Sequence, residues 1–250
     1  VARPAAALDA RGRRVAGAVR GRADRRRHWR PAPPGLRRRG RRRLPLGHDR
    51  RRQPARRREP SQDPDSLNGK VLRLVLDGSI PDDNPFGSAV YSLGHRNPQG
   101  IAVSPSGLVL AAEHGTDVND EVNVIVAGGN YGYPCVTGAA APGPIPDGCG
   151  PPADYVPPAW ASGSPTLATS GATFLVGSSW GDWEGDLAVS TLKEEDLRRF
   201  SVSPSGALTF EETVLDGRFG RLRAVVIGPD GALYVSTANG PGDRIVSVTR

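Results

Sequence analysis

The densest cluster of groups able to do chemistry is Glu113-His114-Gly115-Thr116-Asp117-Val118-Asn119-Asp120-Glu121, which directly follows the β-type run Leu108 to Ala112. An oxygen-rich loop with a glycine for close backbone approach suits a hard cation such as calcium, which takes carboxylates and backbone carbonyls alike. The spacing is not that of an EF-hand, and by composition alone a solvated turn is the simpler reading. A second group is cationic. Arg96 lies in the polar turn Gly94-His95-Arg96-Asn97-Pro98-Gln99-Gly100, Lys193 follows the run Asp186 to Leu192, and Arg221-Leu222-Arg223 precedes another apolar run. Period-two spacing puts Arg221 and Arg223 on one face. Cations from three hairpins could converge on one anion, but on the residues alone surface pairing is the preferred reading.

The elements that must position these residues are short and β-type, separated by Gly, Pro and Asn turns. Val71 to Leu76 ends at Asp77-Gly78, and Gly100 to Ser104 turns through Pro105-Ser106-Gly107 into Leu108 to Ala112. The same strand, Pro-Ser/Asp-Gly turn, strand unit recurs at Phe200 to Phe210 and at Ala224 to Val235. Repetition of one hairpin in an all-β chain predicts a propeller, with a β-sandwich as the alternative; at four strands per blade, residues 61–250 supply about four blades. The only two cysteines, Cys135 and Cys149, share one Pro-, Gly- and Ala-rich stretch. That placement predicts a local disulfide and an oxidising compartment, with two free thiols as the alternative.

Charge divides the 250 residues in two. Residues 1–60 hold 22 Arg and four acids, whereas residues 61–250 hold 11 basic and 22 acidic residues, so a uniformly basic protein is excluded. From Arg11 to Arg58 the chain lacks apolar periodicity, and disorder is expected. An arginine-rich arm for nucleic acid is one reading, weakened by Trp29 being its only aromatic. The other is translation out of frame, because Arg, Pro, Ala and Gly share GC-rich codons and Lys is absent before Lys70. Read one base later, His28-Trp29-Arg30-Pro31 permits Thr-Gly-Gly-Arg, and Gly47-His48-Asp49-Arg50-Arg51 permits Val-Thr-Thr-Gly-Asp. The frameshift is the preferred expectation, and nucleic acid is not the expected partner. No apolar run approaches the roughly 18 residues of a membrane span, Val1 to Arg14 lacks the apolar core of a secretory signal, and the absence of Met suggests an internal or truncated product.

Several segments together resemble one family, the soluble quinoprotein glucose and aldose-sugar dehydrogenases, also called glucose/sorbosone dehydrogenases. They are Ser66-Leu67-Asn68-Gly69-Lys70-Val71-Leu72-Arg73, Gly94 to Gly100, Glu113-His114-Gly115 through Asn123, Gly129-Asn130-Tyr131-Gly132-Tyr133-Pro134, Gly185-Asp186-Leu187 with Leu192-Lys193, and Gly220-Arg221-Leu222-Arg223 with Gly228-Pro229-Asp230-Gly231. The resemblance implies an all-β, six-bladed β-propeller, here a partial one over residues 61–250, with pyrroloquinoline quinone (PQQ) and calcium near its axis. By that similarity Arg96, Asn97, His114, Asp120, Lys193, Arg221 and Arg223 are cofactor-binding residues. The carbonyls of Gly115 and Thr116 would hold calcium. Cations in an acidic body then have a physical role, since PQQ is a tricarboxylate ortho-quinone.

The implied reaction is oxidation of an aldose at its anomeric carbon to a lactone, with an unidentified electron acceptor, in a periplasmic or secreted setting. His114 stands where some members carry Gln, and Thr116 where many carry Pro. Members place a general-base His in a His-x-Gly-Gly-Arg or similar segment upstream. Here that region is the Arg-rich segment, the shifted frame does not restore the His, and neither His28 nor His48 replaces it. The catalytic residue is therefore unassigned, and an incomplete, inactive fragment is expected. A non-catalytic propeller that binds carbohydrate or protein is the alternative.

Overall fold

A computed structural model describes residues 7–8, 14–18, 59–138 and 149–250. They form four antiparallel sheets, each a meander of strands consecutive in sequence. The first joins β1 (Ala7–Leu8), β2 (Arg14–Ala18), β3 (Lys70–Arg73) and β4 (Val90–Leu93). The second joins β5 (Pro98–Val103), β6 (Val109–Glu113), β7 (Glu121–Val124) and β8 (Trp160–Ala161). The third joins β9 (Thr169–Phe174), β10 (Leu187–Thr191), β11 (Leu197–Val202) and β12 (Leu208–Val214), and the last β13 (Leu222–Ile227), β14 (Leu233–Thr237) and β15 (Ile245–Val248). This is a partial β-propeller, as the repeated hairpins predict. Each repeat is a sheet pair, with Val103 opposite Val109, Val202 opposite Leu208 and Ile227 opposite Leu233 flanking the turns.

Two features of the first sheet depart from the sequence reading. Strand β3 ends at Arg73 rather than Leu76, because Val75 accepts a hydrogen bond from Gly78 and the chain turns there. The sheet is completed by β2, which pairs with β3 from within the Arg-rich segment. The remainder of that segment, including Trp29 and the two phrases compatible with a shifted frame, lies outside the described residues.

Apolar side chains fill the spaces between sheets. Val71, Val109, Ala111, Ile125 and Tyr131 lie between the first and second sheets. Leu110, Val122, Phe174, Leu187, Val189 and Phe200 lie between the second and third, and Trp180, Ala188, Leu197, Leu222, Leu233 and Val235 between the third and last. Strand β10 thus sends Leu187 and Val189 to one core and Ala188 to the next. This is why β6 and β10 are buried along their whole length rather than alternating.

The first strands of successive sheets abut directly. A Cβ on Gly100 would lie 2.3 Å from the Ser170 carbonyl oxygen, and one on Gly171 would lie 2.8 Å from the Arg223 carbonyl oxygen. Only glycine permits backbones that close. Ser190 fastens the seam by donating to the carbonyls of Gly171 and Arg223 at 3.3 and 3.1 Å.

Candidate functional site

The close seam of β5, β9 and β13 brings together polar residues from three sheets. Arg223, the second residue of β13, donates from Nη1 to Gln99 Oε1 on β5 and to Ser170 Oγ on β9, each at 3.3 Å. Gln99 in turn donates from Nε2 to Asn97 Oδ1 at 2.7 Å. The Asn97 carbonyl accepts from the backbone N–H of His114, and the His114 carbonyl accepts from Arg96 Nη1 at 3.0 Å. Arg96, Asn97, His114 and Arg223, separated by up to 127 positions in sequence, therefore belong to one hydrogen-bonded assembly.

The loop after β6 is shaped by Asp120, which is wholly buried. Its Oδ1 accepts from the N–H of Gly115 at 2.8 Å, and its Oδ2 accepts from the N–H groups of Leu167 and Thr169 at 2.7 and 3.3 Å. One carboxylate thus closes the 115–120 loop and ties it to the segment leading into β9. The fold-back is tight: a Cβ on Gly115 would lie 1.8 Å from the Val118 carbonyl oxygen, and Asn119 takes a positive φ of 58°. Gly115 is buried and Thr116 exposed, so the loop runs from the interior to the surface over these two residues. Among the described residues no group of three or more His, Cys, Asp or Glu is arranged to hold a metal ion. A cation here would depend on backbone carbonyls.

His114 has a buried Nε2 without a hydrogen-bond partner. Burial pushes its pKa below the usual imidazole value; Asp120 opposes that shift, whereas Arg96 and Arg223 add to it. A neutral imidazole with an unused nitrogen therefore sits within electrostatic reach of both guanidinium groups.

Lys193 lies alongside: its backbone N–H donates to the Leu167 carbonyl and its Nζ to the Thr166 carbonyl at 3.0 Å. Leu167 is the residue whose N–H Asp120 holds, so Lys193 borders the same loop. Arg221 is placed differently from Arg223. It is exposed, one residue before β13, with its backbone N–H held by Asn239 Oδ1 at 2.8 Å. The structure thus brings Arg96, Asn97, His114, Asp120 and Arg223 together, sets Lys193 beside them and leaves Arg221 at the rim.

Behind this assembly is a polar core that charge patterning did not reveal. Glu113 and Glu121 are opposed across β6 and β7, and Asn123 Nδ2 donates to both, at 3.4 and 3.1 Å. His95, fully buried, contacts Ser92 Oγ at 2.8 Å and Glu113 Oε2 at 3.3 Å, and its ring stacks on Tyr131. Glu121 Oε1 accepts from the Gly138 N–H, fastening the loop that carries the Cys135–Cys149 disulfide. The disulfide meets the expectation from cysteine placement.

Burial, and then repulsion from Glu113, push the Glu121 carboxyl up to about 7. A carboxyl raised in the folded state contributes stability that is complete below its unfolded value near 4.5 and is lost as pH rises through about 7. Glu121→Gln is therefore expected to gain stability over the parent at pH about 8.5, on the order of 2–3 kcal/mol, and little at pH about 4.5. Urea denaturation of both proteins across that range measures the difference. A constant offset between them would contradict the assignment.

The family model for Glucose / Sorbosone dehydrogenase matches residues 46–247. The chain belongs to this family. It is 36% identical over 204 residues to aldose sugar dehydrogenase YliI of Escherichia coli, covering 75% of this chain and 53% of that protein. It is 35% identical over 231 residues to quinoprotein glucose dehydrogenase B of Acinetobacter calcoaceticus, covering 68% and 48% respectively. The PQQ-bound aldose sugar dehydrogenase of Streptomyces coelicolor matches with a TM-score of 0.62 at 35% identity, over 75% of this chain and 54% of that one.

The chain thus spans about half the length of the curated relatives it matches. The family resemblance drawn from the Gly94 to Gly100 and Glu113 to Asn123 segments agrees with these findings. Among the described residues no helix is long and apolar enough to cross a membrane.

Proposed function

We propose that the chain binds PQQ and calcium at the assembly of Arg96, Asn97, His114 and Arg223 and serves oxidation of an aldose sugar to its lactone. The observation that carries this reading is the joining of two guanidinium groups in one hydrogen-bonded assembly: Arg96, just before β5, donates to the His114 carbonyl, and Arg223 in β13 reaches Asn97 through Gln99, beside a buried His114 Nε2 that has no hydrogen-bond partner. Such a donor-rich cluster in an acidic body suits the charge of a tricarboxylate. When bound, PQQ supplies a two-electron quinone acceptor and calcium polarises it. Arg96 and Arg223 would orient and neutralise its carboxylates, with Lys193 and exposed Arg221 adding positive charge nearby. Asp120 holds the loop whose Gly115 and Thr116 carbonyls would bind the cation, and His114 would supply a further polar contact.

The proton acceptor for the sugar hydroxyl is unassigned: by resemblance it would precede Ser66, where neither His28 nor His48 replaces it. His95 does not take that role, because both ring nitrogens are engaged and the ring is fully buried. The Cys135–Cys149 disulfide supports a periplasmic or secreted setting.

Titration of the protein with PQQ in calcium, followed by tryptophan fluorescence, tests the reading. Arg223→Ala is expected to weaken affinity by about 10–100-fold, the range for a charge-assisted hydrogen bond. Equal affinity in parent and variant would overturn the assignment. A non-catalytic carbohydrate- or protein-binding propeller would instead show no affinity for PQQ at all.

A further inference from the structure

Gln99 is uncharged and half-buried, yet it is the link between two of the groups described above. Its hydrogen bonds define its own orientation. Arg223 only donates, so the atom of Gln99 facing it must be the carbonyl Oε1, which leaves Nε2 to donate elsewhere. Nε2 meets Asn97 at 2.7 Å, so the atom of Asn97 facing it must be Oδ1. The Asn97 Nδ2 is then the end turned away from Gln99. A sequence of donor-to-acceptor steps starting at a group that cannot accept fixes two amides whose oxygens and nitrogens are otherwise interchangeable.

We propose that Gln99 is a positioning residue which holds the Asn97 amide with its N–H₂ turned away from Gln99 and the Arg223 guanidinium across the seam, so that the site offers donors to the acceptor oxygens of a ligand. This deepens, and rests on, the reading of the pocket as a PQQ site. The argument turns on polarity rather than packing. With glutamate at position 99, Arg223 would gain a stronger partner, but a carboxylate has no hydrogen to give Asn97. Asn97 would turn its Nδ2 inward to donate and present Oδ1 outward. A donor offered to the ligand would become an acceptor, and a negative charge would stand behind it.

The test is PQQ titration in calcium for the parent, Gln99→Ala and Gln99→Glu, with urea midpoints measured on the same preparations. Gln99→Ala is expected to weaken binding about 3–10-fold, through loss of orientation alone. Gln99→Glu is expected to weaken it at least about tenfold beyond that, with a urea midpoint equal to or above the parent's because of the new pair with Arg223. A Gln99→Glu protein that binds PQQ as tightly as Gln99→Ala, or whose loss of affinity follows a fall in urea midpoint, overturns the proposal and leaves the PQQ reading intact. A parent protein without PQQ affinity overturns both.

Discussion

Asp120→Ala is expected to lose about 3–5 kcal/mol of stability, together with the calcium affinity proposed for the 115–120 loop. The carboxylate is completely buried and satisfies three backbone N–H groups, those of Gly115, Leu167 and Thr169. Alanine would leave all three without acceptors, and each buried unsatisfied donor costs on the order of 1–3 kcal/mol. Asp120→Asn separates the two halves of this role. An amide has one acceptor, which is best used by the pair Leu167 and Thr169, so its N–H₂ would face the Gly115 N–H. That variant should lose about 1–3 kcal/mol in urea denaturation and most of its calcium affinity, because the 115–120 loop alone is released. Equal calcium affinity in Asp120→Asn and the parent would show that Asp120 does not shape the cation loop.

Lys70→Met is the second large effect. Lys70 is fully buried at the start of β3, and its ammonium donates to the carbonyls of Asn68, Pro60 and Ser61 at 2.8, 2.8 and 2.9 Å. Burial lowers its pKa to about 8, against the pull of Asp63, so at neutral pH it remains charged and its three hydrogens match three acceptors.

The segment it secures is itself bonded to the site's surroundings. Ser61 accepts through its carbonyl from the Gly94 N–H, and Gln62 exchanges side-chain hydrogen bonds with Asn130. Methionine would fill the volume but leave the acceptors facing an apolar chain, at about 2–4 kcal/mol. The loss should extend to Arg96 through Gly94 and His95, so PQQ affinity should fall along with the thermal midpoint. A variant with unchanged midpoint would refute this account of the buried ammonium.

The two variants also illustrate how much the sequence discloses. Hairpins from Gly100 onward are legible because Pro-x-Gly turns and alternating apolar runs specify them locally. The first sheet is not, since β1 and β2 lie where an Arg-, Pro- and Ala-rich composition predicts no order. Strand β3 also stops short of its apolar run at a turn closed by backbone bonds. In the site, the cations stand out as rare positive residues in an acidic body, but their convergence depends on the glycine seam at Gly100 and Gly171, which only the packed sheets reveal.

Asp120 is visible as one acid among four in its loop, yet nothing local marks it as the one that holds N–H groups more than 40 positions away. Gln99, within the Gly94 to Gly100 segment, and Ser170 carry no charge; partnership with Arg223 is what distinguishes them. Arg221 and Arg223 look equivalent at period two, and the structure separates them because β13 begins between them.

The central claim is that this chain carries a calcium-dependent PQQ site. Isothermal titration of the purified protein with PQQ, in excess calcium and again in chelator, tests it most directly. The account predicts saturable binding of about one PQQ per chain in calcium and at least about tenfold weaker binding in chelator. Absence of saturable binding in calcium, or affinity indifferent to the metal, would contradict it.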